Sequence, residues 1–526
     1  MTAGSRHQKD AATAVQWEFD MTTTSTLIDL LKAGAAGDTA LAAPGRPTLT
    51  YAGLRGLAER TIVRLNALGI GRDDRVAIVL PNGPEMAAAF VAIGAVATTA
   101  PLNPAYRAEE FEFYLGDLKA RALVLDQAGH PAAEEAAAKL GLPILRLHVE
   151  EAAPAGEFTL IGTTVGTTKR PGPAQVEDIA LVLHTSGTTS RPKIVPLSQK
   201  NVVASAHHIS ATLSLAPDDS CLNIMPLFHI HGLIAAVLSS LAAGASITCT
   251  PGFNALKFFG WLDDTAPSWY TAVPTMHQAI LARAGRNQDS LAKAKLRFVR
   301  SSSSSLPPQV MSELEATFAC PVIEAYGMTE AAHQMASNPL PPRARKAGSV
   351  GIAAGPDIAI MGTDGEILKP DAVGEIVIRG PNVTLGYESN PKANDEAFAH
   401  GWFHTGDQGT MDSEGYIRLT GRLKEIINRG GEKISPREVD EVLMDHPAVQ
   451  QVVTFAMPHD KLGEEVAAAV VLREGTQASE REIRDFAAGR LADFKVPRKL
   501  IFLEEIPKGA TGKLQRIGLA AKLGLA

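Results

Sequence analysis

The sequence predicts an α/β protein with a large N-terminal part of layered, mainly parallel sheets and helices, followed by a small C-terminal part. Short apolar runs such as "RVAIVLP" alternate with helix-like stretches such as "GPEMAAAFVAIGAVA", and this alternation is typical of parallel sheets. After about residue 350, short strands separated by Gly, Asp and Pro predict a small β-rich subdomain. The final segment combines helices and strands in about 100 residues, the size of a small α+β domain.

The strand candidates are short and apolar, which favours strands buried inside layered sheets. In chain order they are "RVAIVLP", "ARALVLD", "EDIALVLH", "SITCT", "SWYTAV", "LRFVRS", "PVIEAYG", "DIAIMG", "GEIVIRG", "GYIRLTG", "VQQVVTFAMP", "VAAAVVLR" and "KLIFLEE". The helix candidates "QKNVVASAHHISATL" and "PPQVMSELEATF" lie between strands of the N-terminal part. The run "GLIAAVLSSLAAGA" is shorter than the roughly 20 residues that a bilayer span needs. We therefore expect a buried helix there and no membrane span.

A length of 526 residues predicts more than one domain. We expect residues 1–22 to form a disordered extension, residues 23–423 an N-terminal domain and residues 424–526 a mobile C-terminal lid domain. The boundary is placed at the short polar stretch Arg422–Lys424, where the large part passes into the small one.

Composition and charge exclude several classes of protein. A net charge of -7 argues against a general nucleic-acid binder, whose affinity comes from clustered cations. Cys221, Cys249 and Cys320 are too few for a disulfide framework and form no zinc-binding pattern. The N-terminus has no apolar signal core. These features predict a cytoplasmic protein, and they leave open whether it is a monomer or a homodimer.

The stretch "TSGTTSRPK" follows an apolar strand and has the composition of a phosphate-binding loop. Gly187 allows close backbone approach, Lys193 supplies a positive charge, and loop hydroxyls and N–H groups can donate to phosphate oxygens. The hydroxyls belong to Thr185, Ser186, Thr188, Thr189 and Ser190. The stretch is not a Walker A motif, and taken alone it is also compatible with an ordinary solvated loop.

Three further stretches carry groups that a nucleotide site needs. "EAYGMTEAAH" offers the ring of Tyr326, the hydroxyl of Thr329 and the carboxylate of Glu330, an oxygen ligand suited to Mg²⁺. "GWFHTGDQG" places Asp407 in a Gly-rich turn, where a carboxylate could bind both ribose hydroxyls. "IPKGATGKLQR" carries Lys513 in a Gly-rich loop. Each has a structural alternative: a helix cap, a turn cap and a solvated surface lysine, respectively.

Taken together and in this order, these motifs and "GRLKEIINRGGEKISPREVDEVL" resemble the adenylate-forming acyl-CoA synthetase superfamily. That superfamily also includes firefly luciferase and the adenylation domains of peptide synthetases. The resemblance runs from about Leu27 to the C-terminus. Two residues of the first motif, Ser190 and Ile194, stand where the family usually has Gly. Ser190 keeps a hydroxyl, whereas Ile194 makes the exit of the loop stiffer.

The resemblance implies an ATP-dependent reaction in two steps, in which acyl-AMP forms first and coenzyme A then displaces AMP. The implied catalytic residues are Lys513, Thr329 and Glu330, with Glu330 holding Mg²⁺. The implied ATP site contains Thr185, Ser186, Gly187, Thr188, Thr189, Ser190, Lys193, Ser303, Ser304, Ser305, Glu324, Ala325, Tyr326, Gly327, Thr329, Asp407, Arg422 and Lys513. Between the steps the small domain would rotate about Lys424, bringing Gly430 and Gly431 beside the coenzyme A tunnel.

The acid pocket of this superfamily lies near "PLFHIHGL", "VRSSSSSLPP" and the end of "YGMTEAAHQM". A fatty-acid pocket would be apolar at these places, whereas this chain supplies imidazoles and hydroxyls, which suit a small and very polar acid. The chain is most similar to the oxalate–CoA ligase branch, and this implies a pocket for a small carboxylic acid, with oxalate favoured. The implied acid ligands are His229, His231, Ser302, Ser303 and His333. The alternatives are a plain turn before a helix for the serine run, a gate for His229 and a satisfied core residue for His231.

Other functions stay open at this point. The acid could instead be malonate, another short dicarboxylate, a medium-chain fatty acid or an aryl acid such as 4-coumarate. A luciferase-like oxygenase, a domain that loads a carrier protein or a non-catalytic nucleotide-binding protein would belong to different classes.

Overall fold

The structure, a computed structural model, describes residues 25–185, 192–507 and 516–525. Within these residues the strands form four sheets, of seven, nine, five and five strands. The predicted extension at residues 1–22 lies outside the described residues.

The N-terminal sheet is parallel in its interior, and its two edge strands are antiparallel to their neighbours. In spatial order its strands are Thr159–Ile161, Ile144–His148, Ala122–Asp126, Arg75–Val79, Thr98–Pro101, Ile179–Thr185 and Lys193–Ser198. The two strands that flank the predicted phosphate loop are therefore neighbours, with Thr185 paired to Lys193.

The central sheet contains the strands that carry the predicted site residues Glu324, Ala325, Tyr326, Gly327 and His333. In spatial order they are Ile352–Ala353, His333–Ser337, Val322–Met328, Phe298–Ser301, Trp269–Ala272, Ser220–Asn223, Ser246–Cys249, Thr39–Ala42 and Leu49–Thr50. The inner strands are parallel, so their carboxyl ends meet at one edge of the sheet. Phe298–Ser301 is buried along its whole length.

The two smaller sheets follow along the chain. The small sheet is antiparallel and contains Asp357–Met361, Gly374–Arg379, Phe398–Ala399, Trp402–Met411 and Ile417–Arg422. The C-terminal sheet contains Ile427–Arg429, Glu432–Ile434, Val449–His459, Gly463–Leu472 and Lys499–Phe502, all after residue 424. This sheet has apolar clusters of its own.

Helices cover the sheets. The α-helices are Leu27–Leu30, Tyr51–Ala67, Pro84–Gly94, Ala108–Leu118, Pro131–Leu140, Gln199–Thr212, Ser239–Ala242, Phe258–Thr265, Pro274–Ala284, Gln288–Lys293, Pro308–Phe318, Pro391–Ala397, Pro436–Met444, Glu480–Ala488 and Leu519–Lys522. Short 3₁₀ turns span Leu31–Ala33, Thr329–Ala331 and Asp493–Lys495, and a π-helix spans His231–Leu238.

The apolar run predicted as a buried helix contains this π-helix, which continues into Ser239–Ala242 and is buried throughout its length. Among the described residues, no helix combines the length and the apolar character needed to cross a membrane. The predicted α/β class, with parallel sheets, a small β-rich sheet and a small C-terminal unit, is confirmed. The domain limits and the hinge at Lys424 stay predictions.

Candidate active site

The predicted ribose site is built on two paired strands of the small sheet. Asp407 on Trp402–Met411 lies opposite Arg422 on Ile417–Arg422. The Nε of Arg422 donates to Oδ1 of Asp407 at 3.0 Å, and the hydroxyl of Tyr326 donates to Oδ2. The charge of Asp407 raises the pKa of Arg422. Asp407, Arg422 and Tyr326, predicted from three separate motifs, are thus in direct contact.

Close backbone packing requires the glycine of the "YGMTE" motif. A Cβ at Gly327 would stand 1.6 Å from the carbonyl oxygen of His333. Only glycine therefore lets Val322–Met328 lie this close to His333–Ser337, the strand that carries a predicted acid ligand. The following 3₁₀ turn, Thr329–Ala331, places Thr329 and Glu330 at the end of Val322–Met328.

Glu330, the predicted magnesium ligand, is buried and paired with a tyrosine that the sequence analysis missed. The hydroxyl of Tyr387 donates to Oε1 of Glu330 at 2.9 Å. The Nζ of Lys193 lies 4.1 Å from the centroid of the Tyr387 ring. Burial raises the pKa of Glu330, while the Tyr387 hydrogen bond and the charges of Lys193 and Arg422 oppose that rise.

Glu324 holds the serine loop against the central sheet. It is 1% exposed, and its Oε1 accepts a hydrogen bond from the backbone N–H of Leu306 at 3.0 Å. Burial raises the pKa of Glu324 to about 7, and the charge of Arg437 acts in the opposite direction. The loop of Ser303, Ser304 and Ser305 is therefore fixed by a carboxyl group whose charge depends on pH near neutrality.

The predicted acid ligands His231, Ser303 and His333 meet beside the carboxyl end of Phe298–Ser301. Nδ1 of His231 lies 3.0 Å from the hydroxyl oxygen of Ser303. The ring centroids of His231 and His333 are 4.9 Å apart. Nδ1 of His229 accepts from the backbone N–H of His231 at 3.3 Å. Three imidazoles and one hydroxyl are thus gathered in one place.

Two of these residues adopt a backbone conformation that side chains disfavour. Ser303 has φ +72° and His333 has φ +97°, in the left-handed region where glycine is the usual residue. Strained non-glycine residues of this kind concentrate at functional sites. The fold therefore keeps a hydroxyl and an imidazole at positions where the backbone itself favours glycine.

Ser302 has a different environment from Ser303. Its side chain is buried, and its hydroxyl donates to the carbonyl oxygen of Ala325 at 2.8 Å. That bond ties the end of Phe298–Ser301 to Val322–Met328. The geometry therefore favours a structural role for Ser302, and it makes Ser303 the better-placed hydroxyl for an acid.

A cleft separates this site from the C-terminal unit. Phe228, His229, Ser303, Ser304 and Ser305 line one wall, and Arg437, Met444 and Arg516 line the other. Arg516 forms ion pairs with Asp440, at 2.6 Å, and with Glu425, at 3.3 Å.

The predicted coenzyme A residues lie elsewhere on the C-terminal unit. Gly430 and Gly431 form the turn between Ile427–Arg429 and Glu432–Ile434, with φ of +59° and +101°. Among the described residues that line the cleft, neither is present. In this conformation the C-terminal unit therefore turns the face that carries Arg516 towards the serine loop.

Several predicted residues lie outside the described residues: Ser186, Gly187, Thr188, Thr189, Ser190 and Lys513. Two residues that the sequence analysis missed are Tyr387, described above, and Arg300, which contacts His231. The signal available for Arg300 was an arginine inside the apolar strand "LRFVRS".

The fold and the clustered carboxylate, tyrosine and cation groups define the class of adenylate-forming enzymes. The chain belongs to the family described as AMP-binding enzyme, which it matches over residues 32–388, and residues 438–513 match the C-terminal domain of that family. This confirms the family predicted from the sequence motifs.

Several CoA ligases are similar to this chain over most of its length. The chain is 46% identical to an oxalate–CoA ligase of Arabidopsis thaliana, over 95% of this chain and 98% of that protein. It is 41% identical to an oxalate–CoA ligase of Saccharomyces cerevisiae, over 85% and 86% of the two chains. A sulfoacetate–CoA ligase of Cupriavidus necator is 36% identical over 86% and 88%. The ATP-bound crystal structure of MatB from Rhodopseudomonas palustris superposes with a TM-score of 0.85 at 28% identity, covering 95% of this chain and 99% of MatB.

Proposed function

We propose that this protein is an oxalate–CoA ligase. The observation that supports the proposal is a polar cluster beside the cleft, in which His231 and Ser303 form a hydrogen-bonded pair next to the fully buried Arg300. A small dicarboxylate needs such partners, because burying its second charge without them is prohibitive. The similarity to two oxalate–CoA ligases over most of the chain supports the same acid.

In the first step, an oxygen of the acid's carboxylate attacks the α-phosphorus of ATP, and pyrophosphate leaves with the electrons of the broken P–O bond. Positioned donors and cations supply most of the catalysis of such steps. Asp407 and Arg422 would bind the ribose, Tyr326 would stack on adenine, and Thr329 would hold the α-phosphate. Lys193 and the loop after Thr185 would hold the outer phosphates, and Lys513 would bridge the carboxylate and the α-phosphate.

Glu330 fits a site for Mg²⁺, a metal that proteins commonly hold with one or two carboxylates and the phosphates of the substrate. Its carboxylate is kept in place by Tyr387 and faces the positive charge of Lys193. Glu330 would hold the ion, which would supply positive charge to neutralise the charge that develops on the phosphates.

In the second step, the sulfur of coenzyme A attacks the acyl carbon and AMP leaves, which gives the thioester. No protein nucleophile is required. We propose that the C-terminal unit rotates about Lys424 between the steps. The turn at Gly430 and Gly431 would then face the cleft in place of the face that carries Arg516. Lid motions of this kind commonly complete a catalytic site in stages.

The test is AMP release by purified protein with ATP, Mg²⁺ and coenzyme A across a panel of acids. The panel contains oxalate, malonate, sulfoacetate, acetate, hexanoate, palmitate and 4-coumarate. We expect kcat/KM for oxalate to exceed that for acetate and palmitate by a factor of roughly 100 or more, since desolvated charged groups discriminate strongly. Preference for a fatty or aryl acid would refute the oxalate assignment while leaving the family assignment intact.

A further inference from the structure

Arg300 is a buried cation, and the described residues around it are uncharged. It is 0% exposed, in the middle of the central sheet. Nη1 lies 3.3 Å from Nε2 of His231 and 3.4 Å from the hydroxyl of Thr271, and Nη2 lies 3.2 Å from Oε1 of Gln334. In the part of the chain that the structure describes, no carboxylate forms an ion pair with Arg300, and its Nε has no hydrogen-bond partner. An uncompensated buried charge of this kind is strongly unfavourable.

Strand register places Arg300 beside Thr271 and His231, behind the serine loop. It pairs with Thr271 across two parallel strands, and the chain continues from it into the serine loop. Burial lowers the pKa of Arg300 to about 9, so the guanidinium is still mostly charged at neutral pH. Arg300 therefore places a positive charge next to His231.

The hydrogen bonds of Arg300 fix the tautomer of His231. A guanidinium has only donors, so Nε2 of His231 must accept its hydrogen bond. Thr271, 2.6 Å from the same nitrogen, can donate there as well. Burial and the neighbouring charges hold the pKa of His231 well below its usual value, so the ring is neutral and carries its proton on Nδ1.

Each group in this chain of hydrogen bonds donates to the next, and the last acceptor is Ser303. The protonated Nδ1 of His231 donates to the hydroxyl oxygen of Ser303 at 3.0 Å. The hydroxyl proton of Ser303 then cannot point back to His231 and is directed elsewhere. Ser303 lines the cleft, so its proton is available to an anion bound there.

We propose that Arg300 is a positioning and specificity residue for the acid, acting through His231 and Ser303 on a second anionic group beside the reacting carboxylate. The relay Arg300–His231–Ser303 presents a donor to that group, and the guanidinium supplies the compensating charge. This inference rests on the proposed function and deepens it, since it assigns the determinant of preference for a dianionic acid.

The test compares oxalate with oxamate, in which an uncharged amide replaces the second carboxylate. ATP–pyrophosphate exchange is measured with each acid for wild type, Arg300→Met and Arg300→Lys. We expect Arg300→Met to lower kcat/KM for oxalate by roughly 10- to 100-fold, the value of one charge-assisted hydrogen bond. The loss should fall mainly on the KM for oxalate, with the KM for ATP unchanged. The kcat/KM for oxamate should fall much less, so Arg300→Met lowers the ratio of kcat/KM for oxalate to that for oxamate. This ratio should be partly restored in Arg300→Lys.

Arg297→Met is the matched control. Arg297 lies three residues earlier, is partly exposed and pairs with Asp219, so its removal should leave the ratio unchanged. Thermal melts with and without oxalate give a second readout, and Arg300→Met should fold but lose the stabilisation that oxalate gives the wild type. Equal losses with both acids, or an unchanged ratio in a folded Arg300→Met protein, would overturn the inference.

Failure of the proposed function is distinguishable from failure of this inference. If wild type prefers another acid that has a second anionic group, the oxalate assignment fails and the role of Arg300 is tested on that acid and its amide. If wild type prefers an acid with a single anionic group, the inference about Arg300 fails as well.

Discussion

The nucleotide side and the acid side of this site differ in whether their cations lie near carboxylates of the protein. On the nucleotide side, Arg422 is paired with Asp407, and Lys193 lies close enough to the buried Glu330 to oppose the rise of its pKa. On the acid side, Arg300 is more deeply buried than Arg422, and its hydrogen-bond partners among the described residues are the neutral His231, Thr271 and Gln334. In the described part of the first region, both cations therefore lie near carboxylates of the protein itself. Under the proposed function the second is completed by its substrate, and this difference would place the specificity for an anionic acid there.

The largest expected effect is that of Lys424→Pro, which should stop the second half-reaction while both regions of the site stay intact. Lys424→Pro should block rotation of the C-terminal unit, so thioester formation should fall below detection while acyl-AMP formation continues. The measurement is single-turnover formation of acyl-AMP and of acyl-CoA, with Lys424→Ala as the matched control, because alanine keeps the rotation. Equal loss of both steps would show that Lys424 is not the hinge.

The next effect is confined to the nucleotide side. Asp407→Asn removes the charge that pairs with Arg422 and the carboxylate proposed to bind the ribose. We expect kcat/KM for ATP to fall by roughly 100- to 1000-fold, the value of two charge-assisted hydrogen bonds. Preference among acids, measured as the ratio of kcat/KM values for oxalate and acetate, should stay as in wild type. A changed ratio would mean that the two regions are not separate.

The pH dependence of stability tests the buried carboxyl of Glu324. Its pKa in the folded protein, about 7, is above the ordinary value of 4.5, so the folded state holds its proton more tightly than the unfolded state does. Stability is therefore lost as the pH rises through about 4.5 to 7, by at most about 3 kcal/mol. Glu324→Gln, which can still accept from Leu306, should be more stable than wild type at about pH 8 and similar at about pH 4.

Melting temperatures of both proteins across this pH range provide the measurement for Glu324. A constant difference at every pH would contradict the assigned titration. The control is Glu315→Gln on the helix Pro308–Phe318, because Glu315 is partly exposed and paired with Arg345.

The smallest effect comes from the strained serine of the acid side. Ser303→Gly relieves the left-handed backbone and should raise the free energy of unfolding by about 1 kcal/mol. The same change removes the end of the relay, so kcat/KM for oxalate should fall by roughly 10-fold. Ser303→Ala is the control, since it loses the hydroxyl but keeps the strain. Loss of stability in Ser303→Gly would contradict the strain argument.

The sequence could predict the fold class and most residues on the nucleotide side, because each of these residues stands in an ordered local motif. Asp407 and Tyr326 are examples, and the structure brings both into contact. The buried parallel strands could be predicted from their apolar runs, but their order in the central sheet could not, because strand order depends on long-range packing.

The residues that were not predicted contact partners that are far away in the sequence. Arg300 is 69 residues from His231 and 34 from Gln334, and Tyr387 is 57 residues from Glu330. An arginine in an apolar strand indicates an unusual environment, but only the fold shows that its neighbours are neutral. Ser302 illustrates the converse, since its hydroxyl resembles that of Ser303 in sequence but bonds to the backbone of Ala325.

The most direct test of the central claim is the ratio of kcat/KM for oxalate and oxamate in wild-type ATP–pyrophosphate exchange. The two acids have nearly the same shape and differ in the charge of the group beside the reacting carboxylate. If the acid site needs a second negative charge, it should prefer oxalate over oxamate by roughly 100-fold or more. The reason is that a desolvated guanidinium stabilises a carboxylate far more than it stabilises an uncharged amide. Equal use of the two acids would contradict the claim that the substrate supplies the missing partner of Arg300.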